Sequence, residues 1–454
     1  MALTPFEVQT VDHLRKQLAF TRAGDTRLLR YYQGRQRIEQ MGMAIPEALR
    51  KFVVIANWPR TVVDTIDNRQ QVRALILPGE EKADPALREI WDANNLSAHL
   101  SMFNRDRMVY GRAFMSVGSN EDDPSLPLVR VESPREMAAE VDPRTERITA
   151  AARFYGKNKA GVGPQHVTLY LPDETVWIER GDGGRWVEVD RDEHHLGAVP
   201  VVTHLNRRMS GAWAGESQMN DVIPLADSAA RNLTLLQFGQ EAHGLPRMWM
   251  TGVAQGDFTK PDGTLVPQIE SYFNAVTTLT KEGAKIGQLD AADLANFETA
   301  MNIYGTQASI VTGFPARYFG ITTTNPPAEG AIIADEISLV RSVEAQNEQL
   351  GMTVGWVGAL MYRFRTGDWV TGNRVRAEWH DPATPTVAQR EDALQKRRAQ
   401  GVISRRGYMV ELGWSEARIE QELDWLAEEA NDPVLNALTS GFMGAADADS
   451  DPSV

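Results

Sequence analysis

The stretch GFPARYFGITTTNPPAEGAIIADE, Gly313–Glu336, joins two unlike halves. The first is loop chemistry: Gly313, Pro315, Gly320, three consecutive threonines and the pair Pro326–Pro327. The second opens a long run with helical spacing. Glycine just past the end of a helix, with proline close behind, is a stop signal, so Gly313 and Pro315 end the preceding helix. Asn325 followed by two prolines is a start signal. Thr322, Thr323 and Thr324 are thereby held between two helices as a short uncharged hydroxyl loop, with Arg317 as the nearby cation.

The patterns on either side are long. After the loop, Ile332, Ile333, Ile337, Leu339, Val340, Val343, Leu350, Val354, Val357 and Met361 keep one side apolar. An unbroken helix there would reach about 55 Å. Before the loop, DAADLANFETAMNIYGTQASIVTG predicts a helix over 290–312, with Asp290 as cap and Asp293 near the capping-box position. A third helix is expected over 215–244, about 40 Å long, with Ser217 as candidate cap and Pro224 as a kink or boundary. Between these two helices, PRMWMTG and AVTTLT read as strands and TKPDGTL as a turn, so the pair flanks a small β-rich insertion.

Upstream, helical spacing covers 4–34, 57–72 and 84–111, with Asp84 and Pro85 at the start of the third. The period then changes to short alternating runs over about 112–202, with a hairpin signal at GDGG. Downstream, NRVRAEWH reads as a strand and 386–430 as three short helices punctuated by Gly401, Gly413 and a Ser415 cap. The tail from Asn431 is small and acidic, a composition expected to be disordered.

Composition narrows the function. At 454 residues the chain is long enough for two to four domains. With 42% hydrophobic and 24% charged residues it can build a large core. There is no cysteine, which removes disulfides, thiolate metal sites and cysteine nucleophiles. The opening MALTPFEVQTVDHLRKQLAF lacks a basic region before an apolar run, so no signal peptide is expected. A net charge of −14 argues against static, tight binding to duplex DNA. It leaves open an acidic wall that DNA slides past. LGMTVGWVGALMY, bracketed by Glu348 and Arg363, falls short of the roughly 20 apolar residues of a membrane span. Its Gly351 and Gly355 suit close helix packing instead.

Catalytic motifs are missing. The sequence has no GxxxxGK[ST], HExxH or GxSxG. His194 and His195 are adjacent, so on a strand they face opposite ways and chelate poorly. Asp257 and Asp262 lack the alternating oxygens of a calcium loop and read as a turn. No catalytic residue, metal or cofactor is expected.

The order of local patterns resembles the portal proteins of tailed bacteriophages, of the Gram-positive siphophage type. YYQGRQRI resembles that family's turn after the first helix, and NWPRTVVDTI its Val-Val-Asp helix. VYGRAFMSVG and VESPREMAAEVDP resemble its wing strands, and HHLGAVPVVTHLNRR with GESQMNDVIPLAD its wing-to-stem passage. VTGFPARYFG, NPPAEGAIIADEISLVRSVEAQNEQLG and GVISRRGYMVELGWS resemble the tunnel loop, the following long helix and the crown. The similarity covers roughly Thr4 to Glu429.

The resemblance implies an α+β portal fold with wing, stem, clip and crown, assembling as a ring. In this sequence the wing would be 1–214, stem helices 215–244 and 290–312, the clip 245–289 and the tunnel loop 313–328. The long helix and strand would be 329–382, the crown 383–430 and the tail 431–454. It further implies a homo-oligomer, usually of twelve, at one capsid vertex, through which double-stranded DNA is packaged and ejected. Its partners would be the terminase large subunit, major capsid and scaffolding proteins, and a head-completion adaptor. It would be assembled in the bacterial host cytoplasm, with no membrane partner. The separate terminase motor agrees with the missing Walker motif. Within a ring, Arg317, Thr322, Thr323, Thr324 and Asn325 would face DNA. Lys396, Arg397, Arg398, Arg405 and Arg406 would touch DNA near the capsid interior or, more simply, form salt bridges within or between subunits. Another head-tail connector ring, and a metal-dependent nuclease using scattered carboxylates, remain the competing readings.

Overall fold

A computed structural model describes residues 3–36, 53–157, 163–181, 183–243, 248–252, 283, 285–288, 294–322, 329–370, 375–383 and 387–431. The chain divides into two compact units, Met1–Pro382 and Ala383–Val454.

The first unit opens with α1, Pro5–Tyr32, started by a full capping box between Thr4 and Glu7. Then follow α2, Trp58–Asp67, and β1, Val72–Ile76. The helix expected from Asp84 to Gly111 is broken in two, α3, Pro85–Ala93, and α4, Leu96–Tyr110. The break lies at Asn95, whose φ of +50° is left-handed and incompatible with a continuing helix. Asp84 does cap α3, accepting from the Leu87 amide at 2.8 Å.

The alternating region folds into eight strands in two antiparallel sheets. They are β2 Arg112–Gly118, β3 Leu128–Glu132, β4 Met137–Val141, β5 Ile148–Tyr155, β6 His166–Tyr170, β7 Thr175–Arg180, β8 Trp186–Asp192 and β9 Val201–Leu205. One sheet has the order β3-β2-β9 and the other β4-β5-β6-β7-β8. A small apolar core that includes Phe114, Met137, Ala139, Tyr170 and Val201 joins them. Val11 and Leu14 of α1 pack into the core of the five-stranded sheet.

Next is α5, Ile223–His243. It starts later than expected, and Ser217 does not cap it. Ser217 instead donates to the Met108 carbonyl at 3.1 Å and accepts from the Met219 amide at 3.2 Å. Pro224 sits in the first turn, where a missing amide costs nothing, so it causes no kink. A two-stranded ladder pairs β10, Met248–Thr251, with β11, Lys285–Gln288. Asp257, Asp262, Asp290 and Asp293 lie outside the described residues. Helix α6 is described over Ala295–Thr312. Helix α7, Glu329–Thr366, follows, and β12, Arg376–Trp379, returns to pair with β1.

Helix α7 runs through two apolar cores. Leu339 and Val343 pack with residues of α2, α5 and α6. Leu350, Val354, Val357, Leu360 and Met361 pack with α3, α4 and the three-stranded sheet. The glycine spacing in the uncharged run has a packing reason: a Cβ on Gly355 would lie 2.1 Å from the Val375 carbonyl oxygen. No described helix is long and apolar enough to cross a membrane.

A buried polar seam separates the two cores on α7. Arg107, only 1% exposed, donates from Nε to Asn104 at 3.2 Å and from Nη1 to Asn206 at 2.8 Å and Gln346 at 3.2 Å. Its Nη2 donates to Gln70, whose own amide donates to Asn347 at 2.8 Å. A buried cation is normally paired with a carboxylate, yet the hydrogen-bond partners here are all neutral amides.

The second unit holds α8 Val387–Ala399, α9 Arg405–Glu411 and α10 Glu416–Asn431. Ser404 caps α9 and Ser415 caps α10, while Gly401 and Gly413 take positive φ between them. Leu394, Met409 and Ile419 are its buried apolar residues. The acidic tail beyond Asn431 lies outside the described residues.

Candidate nucleic-acid interface

Helix α6 ends as its sequence demands. Gly313 takes φ +70° and its amide donates to the Ser309 carbonyl at 2.9 Å. The Ser309 hydroxyl donates to the Phe314 carbonyl at 2.6 Å, which turns the chain back. Phe314 and Phe319 are buried, and Phe319 meets Trp58 edge-on at 5.6 Å between ring centres. A short 3-10 helix, Ala316–Phe319, ends at Gly320 with φ +87°.

Charged side chains fix this turn to α7. Arg317 pairs with Asp335 at 2.8 Å and with Glu336. Glu336 is also approached by Arg69 at 3.3 Å and by the Tyr318 hydroxyl at 3.3 Å. Arg69 in turn donates to the Tyr318 hydroxyl at 3.1 Å. The Arg69 and Glu336 side chains are only 13% and 12% exposed, so solvent screens this contact weakly. Arg317, expected as a cation for DNA, is thus already engaged as a clamp on its own loop. Sequence reasoning missed Arg69, Asp335 and Glu336, because ion pairing across 267 positions for Arg69 with Glu336, or 18 for Arg317 with Asp335, leaves no local signal.

Thr322 is exposed at the end of this clamped turn. Thr323, Thr324 and Asn325 lie outside the described residues, as does the proposed Asn325 cap. Helix α6, which delivers the loop, carries a single charged residue, Glu298. Its exposed positions include Thr299, Asn302, Ile303, Thr306, Gln307, Ile310 and Val311. Such a surface offers phosphate no counter-charge.

The basic cluster is in the second unit. Lys396 pairs with Asp392 one turn back at 2.7 Å, and Arg398 lies over the Tyr408 ring at 5.3 Å. Lys396, Arg397 and Arg398 occupy the last turn of α8, where cations complement the helix dipole. Arg397, Arg405 and Arg406 are exposed. His194 and His195 make no chelate: His194 packs edge-on to Phe364, and His195 turns away at φ +50°. Burial lowers the His194 pKa and favours its neutral form. Among the described residues no group of three or more His, Asp or Glu is placed to hold a metal.

A family model described as phage portal protein, SPP1 Gp6-like, matches residues 25–433. The chain belongs to the phage portal family. It is 34% identical to the portal protein of Mycobacterium phage D29 over 435 residues, spanning 93% of this chain and 88% of that one. It is 32% identical over the same length to the portal protein of Mycobacterium phage L5, with the same coverage. Similar solved structures include the virion of a native gene transfer agent particle, with TM-score 0.44, 14% identity, and coverage of 82% of this chain and 96% of that one. Another is the neck of a native gene transfer agent particle computed with C12 symmetry, with TM-score 0.41, 14% identity, and coverage of 81% and 93%.

The portal family is structural rather than catalytic, in keeping with a sequence that has no GxxxxGK[ST], HExxH or GxSxG. Its members build homo-oligomeric rings within a phage particle. The portal chain therefore has to be read as one sector of a ring, and its exposed surfaces as faces toward a channel, a neighbour or another virion component.

Proposed function

We propose that this chain forms a twelve-membered ring at one capsid vertex, and that the segment from Gly313 to Ala328 lines its channel. In this reading 1–214 is the wing, 215–244 and 290–312 the stem, 245–289 the clip, 313–328 the tunnel loop, 329–382 the long helix and returning strand, and 383–430 the crown. The clamp at the loop root is the observation that carries the proposal. A loop fixed through Arg317, Arg69 and Glu336 to the longest helix can bear load from a moving polymer; a loose connection cannot.

The chemistry of the loop suits passage rather than capture. Cationic contacts to phosphate release counterions and bind strongly. Thr322 and its neighbours offer hydroxyls without charge, and Arg317 spends its charge on Asp335 and Glu336. A ring also multiplies the subunit charge of −14, so acidic residues on the wall would repel phosphate and keep contacts brief. Terminase and a head-completion adaptor would dock at the clip during packaging and afterwards. Capsid and scaffolding proteins would contact the outside of the ring. The exposed Arg397, Arg405 and Arg406 would meet DNA or a neighbouring subunit inside the capsid, after assembly in the host cytoplasm.

Deleting Thr322–Thr324 tests the loop assignment. Rings should still form by negative-stain imaging, while DNA packaging or retention drops. Normal packaging by the deletion would remove the assignment, and failure of assembly would make the loop a structural element instead.

A further inference from the structure

Strand β9 ends the order β3-β2-β9, so one of its edges has no strand beside it. The bonds Val117 N to Pro200 O and Asn206 N to Gly111 O fix which residues face β2. By alternation, residues 202 and 204 bond inward, and 201, 203 and 205 turn their amides and carbonyls away from β2; Val201 is buried at 1% exposure, so the accessible edge is Thr203 and Leu205. Among the described residues those groups have no hydrogen-bond partner from another strand. The Thr203 hydroxyl is also buried without a partner.

This edge runs along a groove. One part, about 690 Å³, is lined by Val201–Thr203 together with Trp213, Trp356 and Trp369. A second part, about 220 Å³, continues past Thr203 to Leu205 and again includes Trp213. Trp356 and Trp369 are stacked at 5.5 Å, which gives the groove a rigid aromatic wall. An open strand edge beside apolar pockets is the geometry that accepts an added strand: backbone bonds supply affinity and alternate side chains enter the pockets.

A second edge is exposed elsewhere in the same unit. Strand β8 lies at the end of the five-stranded sheet remote from β4. Its Val187 and Val189 are 45% and 61% exposed, an apolar edge of the kind that proteins normally cover. The register slips between Trp177 and Ile178, next to Val189, so the regular stretches are Trp186–Glu188 and Asp190–Asp192. Residues of β4 and β5 line the β9 groove, which places β8 and β9 on opposite flanks.

We propose that β8 of one protomer adds to the open edge of β9 in the next, so that neighbouring wings share a continuous sheet around the ring. The inference rests on the ring reading above. A contact between two different patches is heterologous, and with the right rotation it closes into a ring rather than a two-fold dimer. Portal membership supplies the ring; the two open edges on opposite flanks supply the joint.

The test uses the absence of cysteine in the chain. Val187→Cys and Leu205→Cys, the second at a partly exposed position of the same edge, are combined in the full-length protein, and assembled rings are treated with a bis-maleimide of about 8 Å span, which reaches opposite and diagonal strand neighbours. A ladder of covalent oligomers is expected on denaturing gels from the double variant and none from either single variant. Intact rings by negative stain without a ladder overturn the strand addition and leave the ring standing. An unsubstituted chain that forms no rings overturns both. Thr203→Pro covers the case in which the cysteine variants do not assemble. Proline on an open edge spares the β2 ladder but blocks strand addition. A protomer with parental melting temperature and at least tenfold weaker assembly is expected; parental assembly by Thr203→Pro overturns the proposal.

Discussion

Arg69, just beyond α2, and Glu336, in the second turn of α7, meet at 3.3 Å although 267 positions separate them. The same carboxylate receives Arg317 and the Tyr318 hydroxyl, so one residue holds the loop root from two directions. Glu336→Gln keeps the shape but removes the carboxylate that Arg69 and Arg317 share, while Arg317 keeps Asp335. The expected cost is about 1–3 kcal/mol in urea unfolding, the range for a charged hydrogen-bond partner lost from a mostly buried site. A double-mutant cycle of Arg69→Ala with Glu336→Ala should give a coupling above about 0.5 kcal/mol. Additive effects would mean that the contact holds nothing.

Gly313 is constrained twice. Its φ is +70°, and a Cβ there would lie 2.9 Å from the Ser338 hydroxyl oxygen. Gly313→Ala is expected to cost about 1–2 kcal/mol from the left-handed backbone alone, with the contact adding to it. Ser338→Ala in the same chain removes the hydroxyl and keeps a good helix former, so it should return the contact part and leave the backbone part. The midpoints of the two variants in chemical denaturation separate these contributions.

Two buried groups give opposite pH dependences. Burial, aided by the Arg107 charge, lowers the His204 pKa to about 3, so the folded state binds its proton less well than the unfolded state. Stability from this group is lost as pH falls from 6.5 toward 3, by about 1.4 kcal/mol per unit at most. Burial raises the Asp106 pKa to about 7, against the nearby Arg105. The folded state then binds the Asp106 proton more tightly, and this stabilisation is lost as pH rises from 3.8 through 7. The two slopes oppose each other over about pH 4–6.5, so His204→Gln should uncover a fall of stability with rising pH there, and Asp106→Asn should uncover a rise and increase stability at pH 8. Parental slopes in both variants would contradict the assignment.

Arg107 is predicted to be intolerant of truncation. Arg107→Ala strands the acceptors of Asn104, Asn206, Gln346 and Gln70 in the seam between the two cores. A loss on the order of 3 kcal/mol is expected, since each buried unpaired polar group costs about 1–3 kcal/mol. Arg107→Met together with Gln70→Leu and Gln346→Leu removes much of the polar set and should recover part of that loss in thermal unfolding.

The elements that depend on near neighbours in sequence were legible. The Asp84 cap, the Gly313 stop, the change to strand period after Gly111 and the Ser415 cap all rest on residues within a few positions of one another. The break at Asn94–Asn95 was not, because helical spacing of apolar residues continues across it while the backbone flips locally. Ser217 looked like a cap because its hydroxyl is in the right place in sequence, but the Met108 carbonyl competes for it across the fold. The Arg69–Glu336 clamp and the Arg107 seam were invisible for the same reason: most of their partners are distant in the chain, and the two arginines of NRDRMVYG look alike in sequence although Arg107 is the buried one. Family resemblance supplied what local pattern could not, since a ring is a property of many chains.

Cryo-electron microscopy of the purified full-length chain measures the radius of Thr322 directly. The account predicts a closed ring with an open central channel and Thr322 among the residues nearest its axis, on a wall that is acidic or uncharged. Persistent monomers, or a ring in which Thr322 faces outward and the channel wall is strongly basic, would contradict it.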